Sequence, residues 1–285
     1  MNGIVIVDKP RDWTSHDVVG KLRGIYHERR VGHSGTLDPM ATGVLVVFIG
    51  RATRAVEFAE SHEKEYLAEI LFGRKTDTQD ITGRTLEESD ACPTREQLEE
   101  AASRFRGEIT QIPPMYSALK VNGKKLYELA RQGQQVERKP RKVTISKLEI
   151  GPQDGNLYTL DVVCSKGTYI RTLCEDLGDA VQACACMSNL RRIRAGAFTI
   201  QDSHSIEEIQ EDPEQYLLPL DLLFQEYPET TVTPNQEKVI RNGGKYSTTL
   251  QEGTYRFYSQ NGDFLMLGRV SDDQVTTIKN FFEVL

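Results

Sequence analysis

A chain of 285 residues with 38% hydrophobic and 27% charged side chains has the balance of a globular protein with room for two domains, and no apolar run approaches the ~18 residues of a membrane span. Five cysteines, an odd number scattered through helix and strand patterns, exclude a disulfide framework. The net charge of −7 argues against a polyanionic partner, yet nine basic residues stand against two acidic ones from Met115 to Lys147, and nine acidic against no basic ones from Gln201 to Glu229. A face tuned for phosphates fits that asymmetry, and so does a solvated surface. The start, Met1 to Asp8, has no basic region and too short an apolar run for a signal peptide, so a cytoplasmic protein is expected. Cys184-Ala185-Cys186 with Cys174 finds no fourth ligand, and none of His16, His27, His33, His62 and His204 is near it in sequence. These cysteines read as buried thiols and no metal is expected.

In chain order, residues 3–7 read as a buried strand stopped at Asp8-Lys9-Pro10. Thr14 and Ser15 offer N-caps, with Asp17 in the first turn, for a helix with Val18, Val19, Leu22, Ile25 and Tyr26 at helical spacing. Residues 31–43 follow as a loop before the strand pattern at 44–49. Within the loop Pro39 drives Asp38 out of the α region, while Gly32, Gly35 and Gly43 permit turns. Asp38 is then either an aimed catalytic carboxylate on a loop held by rigid flanks or the N-cap of a short turn.

A short helix at 52–60 precedes a strand at 66–72, where Tyr66, Ala68, Ile70 and Phe72 share one apolar face, so Tyr66 is by default a core tyrosine. Residues 73–85, with Asp77-Thr78-Gln79-Asp80, miss the full calcium-loop pattern and fit Asx turns. Thr94 with Gln97 makes a capping box for a helix through Phe105, closed by Gly107. Residues 112–117 are extended, Val121-Asn122-Gly123-Lys124 signals a hairpin, and a short helix at 126–132 ends at Gly133. Basic residues interleave with Tyr116 and Tyr127 in this stretch.

Strands at 143–150 and 157–164 are joined by Asp154-Gly155-Asn156. Ser165-Lys166-Gly167-Thr168 then starts a helix that buries Ile170, Leu173, Cys174, Leu177 and Val181. Arg171 falls in its first turn, where the helix dipole opposes a cation; an anionic partner from elsewhere explains it, and so would a plain surface arginine. Leu190-Arg191-Arg192-Ile193-Arg194 precedes another strand, the acidic stretch 201–229 is a bridge with short helical pieces, and a small all-β module begins near Thr231. There is no internal repeat.

Taken together, Val7-Asp8-Lys9-Pro10, Gly32-His33-Ser34-Gly35-Thr36-Leu37-Asp38-Pro39-Met40-Ala41-Thr42-Gly43, Thr76-Asp77-Thr78-Gln79-Asp80, Pro114-Met115-Tyr116-Ser117-Ala118-Leu119-Lys120, Lys124-Lys125-Leu126-Tyr127, Ser165-Lys166-Gly167-Thr168-Tyr169-Ile170-Arg171-Thr172 and Leu190-Arg191-Arg192 closely resemble the bacterial TruB family. Its members are tRNA pseudouridine synthases that modify uridine 55 in the TΨC loop. The motifs run in order through residues 2–200, and the tail resembles a PUA-type RNA-binding module. Ser34 stands where the family often has threonine and Met40 where leucine is usual; neither change removes a group the mechanism requires.

The resemblance implies an α/β (α+β) fold with a mixed, largely antiparallel central sheet and flanking helices, followed by a small β-barrel-like module. It divides the chain into a catalytic domain at 1–229, with a T-arm-binding insertion near 74–147, and a PUA-like module at 230–285. It implies Asp38 as the catalytic aspartate, Arg171 as the arginine paired with it, and Tyr66 as the tyrosine that stacks on the base and is a candidate for removing the C5 proton. His33 would hold the flipped nucleotide, with Lys9, Tyr169 and Leu190 at the pocket and Lys120, Lys124, Lys125 and Arg141 gripping the RNA. The reaction is a net isomerisation, so no cofactor is expected; the partner is the T-arm of tRNA, with no membrane, no obligatory protein partner and a monomeric state. The rivals are a synthase of the same fold acting on another RNA or guided by partner proteins, and a non-catalytic tRNA-folding chaperone.

Overall fold

The computed structural model describes residues 1–121 and 123–282. Strands β1 (Gly3–Lys9) and β3 (Thr42–Ile49) are runs of valine and isoleucine buried almost throughout, as strands covered on both faces must be. They pair antiparallel from Gly3↔Ile49 to Lys9↔Gly43. Between them lie α1 (Ser15–Tyr26) and β2 (Val31–Ser34). A capping box starts α1: the Thr14 side chain accepts from the Asp17 amide, and the Asp17 carboxylate accepts from the Thr14 amide. β2 corrects the expectation that 31–43 is all loop, because Val31 to Ser34 pair with Ile49 to Val46 of β3. Four residues interrupted by Gly32 are too short to display an alternating pattern.

After a 3-10 turn at Gly50–Ala55 come α2 (Val56–Ser61) and β4 (Lys64–Phe72), whose Ala68, Ile70 and Phe72 are buried, as their alternation predicts. β5 (Arg74–Thr76) and β6 (Thr85–Glu88) pair across the polar turn segment. Then follow α3 (Arg95–Ser103), started by the expected Thr94–Gln97 capping box, and β7 (Gly107–Gln111). β8 (Lys120–Val121) and β9 (Lys124–Lys125) form the expected hairpin, of which Asn122 lies outside the described residues. α4 (Leu126–Arg131), β10 (Arg141–Asp154), β11 (Leu157–Cys164), α5 (Ile170–Ala180) and β12 (Ala185–Ala195) complete the first unit.

The central sheet runs β1-β3-β12-β4-β11-β10-β7. Its neighbours are antiparallel except β12 and β3, which meet in parallel at Arg191↔Thr42 and Arg192↔Gly43. Residues 190–194 lie inside β12 itself and also precede the short strand at Phe198–Thr199, which pairs back onto β12. The arginines are absorbed by partners on other strands, Arg194 by Glu65 (2.9 Å) and Arg191 by Asp8 (2.7 Å). α3 and α5 cover one face of the sheet, with Leu98, Leu173 and Leu177 against Ile70, Phe72, Leu148 and Leu160.

β13 (Phe198–Thr199) leads into the acidic bridge, where α6 (Ile206–Glu211) and two 3-10 turns follow. A second sheet follows in the order β14-β16-β17-β18-β15, built from β14 (Glu229–Thr231), β15 (Tyr246–Ser247), β16 (Gly253–Tyr258), β17 (Phe264–Ser271) and β18 (Gln274–Asn280). It is not all-β: α7 (Pro234–Arg241) is capped by Thr233 and Gln236, with proline in its first turn. Phe264 and Phe281 pack with Phe224, Ile4, Ile6 and Phe48, which fuses this unit to the first. Among the described residues no helix is long and apolar enough to cross a membrane.

Candidate active site

The segment from Gly35 to Ala41 leaves β2 and enters β3, and it is pinned on three sides. Ser15, at the start of α1, donates its hydroxyl to the Leu37 carbonyl (3.2 Å) and accepts from the Leu37 amide (2.9 Å). The fully buried Lys9 ammonium donates to the carbonyls of Pro10, Trp13 and Pro39 at 2.8, 2.5 and 3.2 Å. Burial lowers its pKa to about 8. Arg192 donates from Nη2 to the Gly35 carbonyl (3.0 Å) and from Nε to Val44 (2.6 Å). The glycines are required here: Gly35 has φ +71°, and a Cβ on Gly43 (φ +100°) would stand 2.2 Å from the Arg192 carbonyl oxygen.

Held so, Asp38 aims its carboxylate at Arg171. Arg171 Nε stands 2.9 Å from Oδ2 and Nη2 donates to Oδ1 at 3.2 Å, a two-point contact that fixes the plane of the carboxylate. A turn does form, the Asp38 carbonyl accepting from the Ala41 amide (3.0 Å), but the side chain is not its cap. The two guanidinium Nη atoms also donate to the carbonyls of Thr78 and Tyr116 (2.9 Å each), and Nη1 lies 3.6 Å from Asp80 Oδ2. One buried arginine thus joins three segments that meet nowhere in sequence. The Arg171 side chain is 5% exposed against 33% for Asp38, so the carboxylate is the part of the pair that reaches solvent.

Burial pushes the Asp38 carboxyl above its ordinary value; Arg171 opposes this and Asp80 adds to it. Tyr66, on β4, packs against the cluster containing Leu37, Met40 and the buried Leu190 of β12. Burial raises its pKa, with Arg192 as the largest opposing influence. His33 on β2 sets its ring 5.8 Å from that of His16, edge to face, and its Nδ1 is buried without a partner among the described residues. Burial, then His16 and Arg192, lower its pKa to about 4, so it is neutral at pH 7. Tyr169 precedes α5, where its amide and carbonyl are both bonded to the Gln111 side chain (3.0 and 3.2 Å).

Asp38, Tyr66, Arg171, Leu190, Lys9 and Tyr169 therefore converge, with His33 at the start of the same loop. The basic residues stand elsewhere: Lys120, Lys124 and Arg141 are exposed, while Lys125 and Arg131 lie over the Tyr127 ring at 5.3 and 5.5 Å. Their support reaches back to the site, since the Tyr127 amide donates to Ser117 (3.1 Å), next to the carbonyl that Arg171 grips. Lys142 and Lys147 are neutralised by Glu108 and Asp161, each at 2.7 Å. Sequence reasoning missed Asp80 and Arg192. Asp80 does make the expected Asx turn, accepting from the Thr82 amide (3.0 Å) and the Thr78 hydroxyl (2.8 Å), and that local account concealed its second oxygen.

Residues 23–170 match the family model for the TruB family pseudouridylate synthase (N terminal domain), and residues 171–225 match the model for the tRNA pseudouridylate synthase B C-terminal domain. The tRNA pseudouridine synthase B of Clostridium kluyveri is 41% identical, over 99% of this chain and 100% of the relative. That of Syntrophotalea carbinolica is 44% identical, over 85% and 81%. Among solved structures, a Cbf5-Nop10-Gar1 complex aligns with a TM-score of 0.75 at 23% identity, covering 99% of this chain and 85% of that one. An H/ACA RNP bound to a substrate RNA containing 2'-deoxyuridine gives 0.73 at 21%, covering 99% and 86%. These two structures share the fold.

Proposed function

The chain belongs to the TruB family of pseudouridylate synthases, and from that premise we propose that Asp38, Arg171 and Tyr66 convert uridine 55 in the T-arm of tRNA to pseudouridine. The enzyme isomerises uridine in tRNA: the N1–C1′ bond breaks, the uracil turns within the site, and C5 joins C1′. A reaction of this kind needs an anionic group beside an electron-poor sugar carbon. Asp38 is that group, whether it stabilises charge at C1′, adds to it or takes the 2′ proton. The supporting observation is the two-point Asp38–Arg171 contact, with the carboxylate on the open side. Burial alone would favour a neutral acid; the guanidinium favours the carboxylate and fixes its direction.

Tyr66 stacks on the target base and serves the C5 proton. His33, neutral and at the start of the loop, holds the nucleotide out of its stack. Lys9 acts from behind, holding Pro39, while Tyr169 and Leu190 line the pocket. Lys120, Lys124, Lys125 and Arg141 grip the T-arm backbone, and residues 230–285 add RNA affinity as a PUA-like module, although 283–285 lie outside the described residues. We further propose that the protein acts as a monomer without an obligatory protein partner; 99% of the chain aligns with 100% of a relative named as a single enzyme, tRNA pseudouridine synthase B.

The test uses tRNA tritiated at uracil C5, together with mapping of the uridine consumed. Release from wild type at position 55, with a loss of about three orders of magnitude in Asp38→Asn, is expected. Equal release from both proteins sinks the assignment of Asp38, and consumption of another uridine sinks the T-arm site.

A further inference from the structure

Arg192 is the largest fully buried side chain among the described residues, 1% exposed, and a guanidinium remains charged when buried. It donates to two carbonyls, yet among the described residues no carboxylate stands within ion-pair distance of it. An uncompensated buried charge is strongly unfavourable. Two carbonyls that a neutral donor would satisfy do not account for it.

The sheet register brings a partner to it. Arg192 on β12 lies directly opposite Tyr66 on β4, and such antiparallel pairs project to one face with their Cβ atoms about 5 Å apart. The other groups facing the phenol do not favour its ionisation. Asp38, from the loop, repels a phenolate; Cys164 on β11, itself pushed up to about 11 by burial, is an uncharged thiol. Lys64, two residues away on β4, has its ammonium turned to the carbonyls of Glu60 and His62 (2.6 and 2.5 Å). Across β11, Tyr66 faces the apolar Val162.

We propose that Arg192 is a positioning residue for the last step of the reaction, its buried charge holding the Tyr66 oxygen as the base that takes the proton from C5. The proposal rests on the reading of Tyr66 given above. In that step the C5–H bond of the re-attached uracil breaks, the proton passes to the phenolate oxygen, the electron pair re-forms the C5–C6 double bond, and the C6–N1 π pair moves onto N1. N1, freed from the sugar, takes a proton from water, and the proton that Tyr66 gave up beforehand went to water, so none is gained or lost. Because Arg192 also holds the Gly35 carbonyl, the carboxylate at C1′ and the base at C5 are set by one anchor.

The test places 3,5-difluorotyrosine at position 66, which brings the phenol's ionisation into assay range. Its pKa is read from the fluorine resonance in the Arg192 protein, in Arg192→Gln and in Arg192→Lys, and single-turnover tritium release is followed against pH in the same three proteins. Loss of an opposing charge at contact raises the phenol pKa by about one to three units in Arg192→Gln. A smaller rise is expected in Arg192→Lys, which keeps the charge but not the reach and so carries the test should the glutamine variant not fold. Tritium release should follow the phenolate fraction in each protein. A phenol pKa that no soluble Arg192 variant moves overturns the role of Arg192. A pKa that moves while release ignores it overturns Tyr66 as the base, and the proposal with it.

Discussion

The charges around Asp38 and those along the β8–β9 hairpin differ in almost every physical respect. Arg171 is locked by two carboxylates and two carbonyls in a buried setting, where each contact has a fixed direction and weak screening. Lys120, Lys124 and Arg141 stand in solvent with no ion pair among the described residues, where only their summed field matters and salt weakens it. The first arrangement suits a reacting atom whose position is known to a fraction of an ångström. The second suits a phosphate backbone that must be found and held in many near-equivalent ways.

This contrast is sharpest at Arg171. Arg171→Ala leaves the buried Asp80 and the partly exposed Asp38 without their cation, so turnover should fall by about two to three orders of magnitude and stability by about 3 kcal/mol, while tRNA affinity changes little. Denaturant titration and filter binding check this together; an affinity loss as large as the rate loss would erase the division between the two regions.

A smaller effect is expected from His33. Its folded pKa, about 4, lies below the ordinary 6.5, so the unfolded chain takes up a proton first as pH falls. Stability is therefore whole above about pH 6.5 and is lost from there down to about pH 4, by about 3 kcal/mol. Urea midpoints measured across that window should show a sag that His33→Asn removes, and an identical sag in the variant would mean that other groups cause it.

On the exposed side, reversing Lys124 and Lys125 to glutamate should weaken tRNA binding and reduce the slope of log affinity against log salt by about one to two. An unchanged slope takes the hairpin out of the interface. The smallest effect belongs to Lys142, already neutralised by Glu108. Lys142→Ala should leave the melting temperature and tRNA affinity within experimental scatter, and a measurable loss of affinity would show that the ion pair opens for RNA.

Legibility in the sequence followed the range of the interactions. The N-cap at Thr14, the capping box at Thr94 and the alternating face of β4 are local patterns, and each is legible in the sequence. The equivalent signal at Thr233, Pro234 and Gln236 is equally local, and α7 forms there although the alternating strands around it predict an all-β tail. The extent of β12 is not legible, because its arginines find their partners, Glu65 and Asp8, only on other strands. Of the site, Asp38 and Arg171 were legible through motifs and through a cation misplaced on a helix dipole. The carbonyls of Thr78 and Tyr116 have no side-chain signature at all, and the second oxygen of Asp80 was hidden behind a turn that explained the first.

The parallel contact between β3 and β12 carries a consequence in time. Arg191 and Thr42, which meet there, are 149 positions apart in the chain, and pairings that span so much sequence form slowly. A chain emerging from the ribosome displays Asp38 early, yet Arg171 and the strand that seats Gly35 and Gly43 are made far later. Until they arrive the carboxylate has neither partner nor direction. A chain that stops before β12 therefore carries Asp38 on a loop whose Gly35 carbonyl has no Arg192 to hold it.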